Sequence, residues 1–178
     1  MVLSQRAFAD ADGVRDAHLV LSTLRSRLSD SGASNAYGTS QELANQRMLT
    51  AMTDTISQLK ELRAKTYDPA LRTFYYRTGL ALSDLNDLLT VEKTLILATE
   101  NDNLGLWKGA AEAFANEELK RLAAPAASTL ELQIRLRDFD KTYRRTQDGV
   151  ARQLQAANSD LMRERNIDFS DDLHGLFH

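Results

Sequence analysis

Apolar residues recur along this chain at alternating steps of three and four. Leu3, Ala7, Val14, Ala17, Leu21, Leu24 and Leu28 form one run, broken by Asp10. Leu71, Tyr75, Thr78, Leu82, Leu85, Leu89 and Ile96 form another, broken by Glu92. Steps averaging near 3.6 draw one seam down one side of a helix. Five such segments predict an all-α protein, an elongated antiparallel helical bundle of about five helices with coiled-coil-like packing.

Turn and cap residues mark the predicted boundaries. The first helix runs from Gln5 or Asp12 to Ser29 and stops at the turn-rich residues 30–38. The second opens with Thr39 and Glu42, a capping box in which each side chain satisfies a free backbone donor. Its seam is Leu49, Met52, Ile56, Leu59 and Leu62, and it ends near Lys65 or Thr66. The third begins with Asp68 as N-cap and Pro69 in the first turn, and continues to about Thr99, roughly 45 Å. It carries a second apolar column, Phe74, Ala81, Leu88 and Leu95, so it is expected to be central. The fourth covers about Leu104 to Ala123, with Trp107, Phe114 and Leu119 on one side. The fifth runs from Pro125 to about Asn166. Gly79, Gly109 and Gly149 fall inside helices, where each costs about 1 kcal/mol relative to alanine and marks a close approach or a kink.

Two stretches read differently. Residues 129–137 alternate strictly between polar and apolar, the signature of a half-buried strand. A lone strand has no partner elsewhere in the chain, so helix is expected, with Leu132, Leu136, Phe139 and Tyr143 inward and Leu130 and Ile134 on a second face. As a strand it would pair with another protein's sheet edge. The tail, residues 167–178, follows a bundle domain of residues 1–166 and reads as a docking peptide. It sets acids among Ile167, Phe169, Leu173, Leu176 and Phe177. Ser170 is placed to cap one turn, with Asp171 and Asp172 at its positive end.

Charge and chemistry narrow the function. The net charge is −3 with the signs interspersed, which disfavours a nucleic-acid partner. No cysteine is present, which removes disulfides, thiolate nucleophiles and zinc-thiolate sites. The start lacks a basic-then-apolar leader, and no window reaches the ~20 apolar residues of a membrane span. A cytoplasmic or virion/assembly-associated protein is therefore expected. No Gly-rich phosphate loop, Gly-x-Ser-x-Gly elbow or His-Glu-x-x-His pair occurs. The histidines are only His18, His174 and His178, too few for a His-built metal or haem site. Asp171 and His174 have helical metal-ligand spacing, but at a chain end they read as a solvated pair. His18, beside a seam, reads as a partly buried structural histidine. Residues 101–112 fit no calcium-loop register and read as a capped turn. No catalytic, cofactor-binding or metal-binding residue is assigned, and no cofactor is expected.

Asp10, Glu92 and Glu118 lie on or beside apolar seams. A buried carboxylate must be paired, protonated or metal-bound. Convergence of two or three would make a carboxylate site, the enzymatic alternative; a splayed helix end or an arginine partner such as Arg121 or Arg77 is the expected outcome. In the fifth helix Arg135, Arg137, Lys141, Arg144, Arg145 and Arg152 are interleaved with Asp138, Asp140 and Asp148. Such a face is solvated and also complements an acidic partner. Phe74, Tyr75 and Tyr76 put aromatics on adjacent faces, so at least one must meet solvent or another subunit.

These features predict a non-enzymatic structural, assembly or adaptor protein that acts through helix-mediated contacts in a larger complex, as a homo-oligomer or with other protein subunits. Secretion machines, phage particles and helical chaperones contain subunits of this look, and no motif selects among them. The candidate interface residues are Phe74, Tyr75, Tyr76, Leu88, Leu95, Leu130, Ile134, Ile167, Phe169, Leu173, Leu176 and Phe177. The alternative is a ligand-sensing bundle that holds a small molecule between helices near Arg77 or Trp107.

Overall fold

The seams fold into helices that pack along their apolar sides. The structure, a computed structural model, describes residues 2–36, 41–100, 111 and 114–176. Among them are six helices and no strand: α1 (Val2–Ala36), α2 (Gln41–Lys65), α3 (Pro69–Glu100), α4 (Glu117–Ala123), α5 (Thr129–Arg165) and α6 (Ser170–Leu173).

Long-range polar contacts report the register. Arg27 of α1 pairs with Asp54 of α2 at 3.0 Å, while Asp10, near the start of α1, reaches the end of α2. Asn45 of α2 reaches Leu89 and Glu92 of α3. Arg77 of α3 meets Asp160 of α5 at 2.6 Å, and Arg165 meets Asp68 at 2.6 Å. Each successive long helix therefore runs antiparallel to the one before. α3 touches α2, α4 and α5, which makes it the central helix. α1 and α5 make no close backbone approach, and α6 lies against both.

The caps are local chemistry. Asp68 Oδ1 accepts from the backbone N–H of Ala70 (2.8 Å) and Leu71 (3.0 Å), with Pro69 in the first turn. Asp10 interrupts the α1 seam for a reason: its carboxylate accepts from the backbone N–H of Tyr67 (2.7 Å) and Asp68 (3.0 Å) and pins the α2–α3 turn. Ser128 caps α5 through Glu131 N–H at 3.2 Å, and Glu131 in turn accepts from Ala127 N–H at 2.7 Å. Asn166 ends α5 in the left-handed conformation (φ 56°), one that asparagine tolerates well.

Several expected boundaries move. Residues 30–36 continue α1 instead of forming a loop, because extending a nucleated helix fixes only one residue per added hydrogen bond. In the described part of the fourth segment the α-helix begins at Glu117, since Asn116 Oδ1 accepts from Glu118 N–H (2.8 Å) and starts α4 there. Leu104 and Trp107 lie outside the described residues, as does Thr39 of the expected capping box. Pro125 falls in the α4–α5 link rather than in a first turn, because Ser128 supplies the cap. Residues 129–137 are helical: Leu132 is buried in the core while Leu130 and Ile134 face solvent, so the alternation reflects two faces of one helix. Ser170 does not cap α6. Ser170 is the first residue of α6, no side chain caps that turn, and Asp168 Oδ1 accepts from the Ser170 N–H at 2.9 Å. A Cβ added at Gly79 or Gly149 would meet nothing within 4 Å, so neither marks a close helix approach.

Two apolar clusters fill the bundle. The larger joins α1, α2, α3, the second half of α5 and the tail, around Leu21, Met52, Phe74, Leu82, Leu154 and Phe169. The smaller joins the second half of α3, α4 and the first half of α5, around Leu88, Leu95, Leu122, Leu132 and Phe139.

Candidate interaction surface and interior pocket

The structure sorts the predicted interface residues into three groups. Phe74, Tyr75, Leu88 and Leu95 are buried in the chain's own core, as are Phe169 and Leu176 of the tail. These six present no surface to a partner, because the wide stripe of α3 is covered by α2, α4 and α5, and by the tail. Ile167 and Leu173 are half-buried against the same core. Tyr76, Leu130 and Ile134 are exposed, Leu130 by 67%. Phe177 lies outside the described residues.

The tail folds back onto the bundle. Phe169 stacks on Phe74 with ring centroids 4.8 Å apart and planes at 9°, and the His18 ring covers its other side at 4.4 Å. Asn158 holds the chain on both sides of that ring: its Oδ1 accepts from Phe169 N–H (2.8 Å) and its Nδ2 donates to Asp168 (2.7 Å). Those bonds, with the Ser170 hydroxyl and N–H, hold the Asp168 carboxyl at about 2, well below its ordinary value. His18 Nδ1 lies 2.5 Å from Asp172 Oδ2, and Arg25 donates to the Asp171 carbonyl. His18 is thus half-buried and holds the tail against α1. Among the described residues no group of three or more His, Asp or Glu side chains is placed to hold a metal.

The three seam carboxylates do not converge. Asp10 pins a turn, as described. Glu118 accepts from Arg145 through both oxygens (2.7 Å) and from Thr142 (3.1 Å); the Arg145 guanidinium, above all, lowers its carboxyl pKa. The expected partners are engaged elsewhere, Arg121 with Asp138 and Arg77 with Asp160. Glu92 is different. Its neighbours are neutral amides, Asn45 Nδ2 at 2.8 Å and Gln41, and burial pushes its carboxyl pKa up. No cation pairs with it among the described residues.

Glu92 lines a cavity of about 290 Å³ where α2, α3 and α5 meet, bounded among the described residues by Gln41, Leu95, Ile96, Leu136, Phe139 and Asp140. Asn45 is 1% exposed, and its Oδ1 has no donor. A second cavity, beside Arg77, is smaller (about 190 Å³), and there Arg77 is already paired with Asp160. Trp107, the other expected ligand anchor, lies outside the described residues.

The outer face of α5 carries a stripe at the same four–three step as the inner seams: Leu130, Ile134, Arg137, Lys141 and Arg144, all exposed. Arg144 pairs with Asp140 one turn earlier, and Arg137 and Lys141 make no ion pair among the described residues. Exposed Tyr76 has a local reason, since the Arg63 guanidinium lies 4.4 Å from its ring centroid.

Asn45 and Asn158 were not singled out from the sequence. Their signal was positional: each sits on a seam, four residues before Leu49 and four after Leu154, where an amide must find partners or be left short. No known family model matches the chain, and no curated protein or solved structure matches it either.

Proposed function

We propose that this is a non-enzymatic assembly or adaptor protein, and that the outer face of α5 is its docking surface for an acidic amphipathic helix. The observation that carries the reading is the stripe Leu130–Ile134–Arg137–Lys141–Arg144, apolar at its first two positions and cationic at the next three. A partner helix with apolar residues at one end and acids at the other complements it in both chemistry and period. Antiparallel self-pairing over the whole stripe sets Arg137 against Arg137, and like charges at the centre of an isologous interface favour a different chain as partner.

The intact chain, carrying a photo-crosslinking residue in place of Gln133 and expressed in its own cells, tests the reading. An adduct of defined mass is expected. It should disappear with Leu130→Glu/Ile134→Glu and weaken strongly with Arg137→Glu/Lys141→Glu. Both variants should keep the helical circular-dichroism spectrum, because exposed positions tolerate substitution within about 0.5 kcal/mol. No adduct, or one unchanged by both variants, overturns the reading. An adduct with a second copy of the chain overturns the choice of partner.

A further inference from the structure

We propose that the cavity between α2, α3 and α5 is a binding site for an organic ammonium ion, a protonated amine on a hydrocarbon or aromatic body. The site goes beyond docking at α5 and does not depend on it.

The polar groups of the cavity are unbalanced in one direction. Glu92 brings a carboxylate into a largely apolar wall, where a charge without a counter-ion is costly. Its two hydrogen-bonding neighbours, Asn45 and Gln41, are neutral. The Asn45 amide is oriented by its own bonds: Nδ2 donates both to the Leu89 carbonyl (2.9 Å) and to Glu92 (2.8 Å). That leaves Oδ1 as an acceptor, buried and without a donor, one amide away from the carboxylate. Asn45 itself does not line the cavity, and its fixed amide leaves the lining carboxylate of Glu92 with a neutral donor and no counter-ion among the described residues. The carboxylate in the cavity wall lacks a group that is both positive and rich in N–H.

The remaining walls describe the rest of the ligand. Leu95, Ile96 and Leu136 offer hydrocarbon, and Phe139 offers a ring whose face attracts cations. Leu136 is 38% exposed, so this side is open to solvent. Asp140 adds a second carboxylate, which repels anionic ligands and attracts a second amine. Its charge is already partly matched by Arg144 at 3.2 Å, so Glu92 is the principal anchor. A bare divalent cation is poorly served, since no third carboxylate or imidazole joins the two among the described residues.

The test is calorimetric titration of the full chain at pH 7 with 2-phenylethylamine and with its neutral isostere 2-phenylethanol. Saturable binding of the amine is expected, about tenfold or more tighter than the alcohol, the usual weight of one charge-assisted hydrogen bond. Glu92→Gln keeps the acceptor and the shape but removes the charge; it should remove the amine's advantage and leave the alcohol unchanged. Leu136→Trp should fill the cavity and weaken both ligands. Amide chemical-shift changes on amine addition should centre on residues 41–45, 92–96 and 136–140. Equal affinity for amine and alcohol, no saturation, or amine binding untouched by Glu92→Gln overturns the proposal.

Discussion

The two ends of the bundle are made of the same kinds of residue and finished differently. At the end where α2 turns into α3, each seam acid or amide described above has partners: Asp10 holds the turn, Asp68 caps α3 and accepts from Arg165, and Asn158 clasps the tail. There α1 and α5 stand apart, and the chain's last segment fills the gap with Phe169 and α6. At the other end α3, α4 and α5 build the smaller apolar cluster together with Phe114 and Ala126; half-buried Glu92 has no cation among the described residues, Asn45 Oδ1 lacks a donor, and Leu136 is left part-exposed beside a cavity. Helices that bury a seam do not by themselves close a core. One short in-chain segment closes the first end, and at the second the described residues leave Glu92 and the Asn45 carbonyl without a charged or donor partner.

The sharpest way to break this comparison is Phe169→Ala. The ring is fully buried between His18 and Phe74, so its loss should cost about 3–5 kcal/mol, read as a lower urea midpoint. Leu132→Ala at the open end, slightly exposed, should cost less, about 2 kcal/mol. Equal costs would mean that the tail is not a structural element of its end.

Smaller and opposite in sign is the effect of Gly79→Ala and Gly149→Ala. Each should stabilise by about 1 kcal/mol, because the new methyl meets open space and the helix propensity improves. A loss of stability at either position would reveal a close approach that the backbone does not show.

The pH dependence of the two ends should differ in sign. Glu92 has a raised folded-state pKa, so the folded protein binds its proton more tightly than the unfolded chain does. Its contribution is favourable at low pH and declines as pH rises through the folded pKa. Glu92→Gln should therefore raise the urea midpoint at pH 7 and change it little at pH 4. Asp168, held at about 2 against an ordinary 3.8, contributes stability above 3.8 that is lost as pH falls towards 2. The protection of the amides of residues 167–176 against hydrogen exchange, relative to their intrinsic rates at each pH, should fall across that window. Asp168→Asn should flatten this dependence, the smallest of these effects because the carboxylate is exposed. Protection independent of pH in that window would show that the Asp168 clasp does not hold the tail.

Much of this architecture was legible one segment at a time. Asp68-Pro69 announced the start of α3, and the double column on α3 announced a helix covered on several sides. Those signals act over a few residues, so a local pattern carries them. The tail was legible as apolar and acidic but read as a free docking peptide, because nothing local in Asp168 or Phe169 says that Asn158 and His18 wait for them. For the seam acids, Glu118 among them, a splayed helix end or an arginine such as Arg121 or Arg77 was expected. Arg121, three residues on, turned instead to Asp138, and Arg145 on α5 supplied both contacts. The cavity at Glu92 was half visible, as an acid on a seam. Its missing cation and the orphaned Asn45 carbonyl depend on three helices meeting.

The sequence by itself determined that the chain is helical, roughly where its helices begin and end, and which side of each is apolar. Those properties follow from a 3.6-residue period and from caps that reach two or three residues. Only the tertiary structure decided which seams meet, which acids are neutralised and where the tail lies. His18 and Asp172 stand 154 positions apart, and Arg77 and Asp160 stand 83 apart. Over such separations the antiparallel register of the packed helices brings side chains together, and no local pattern records it.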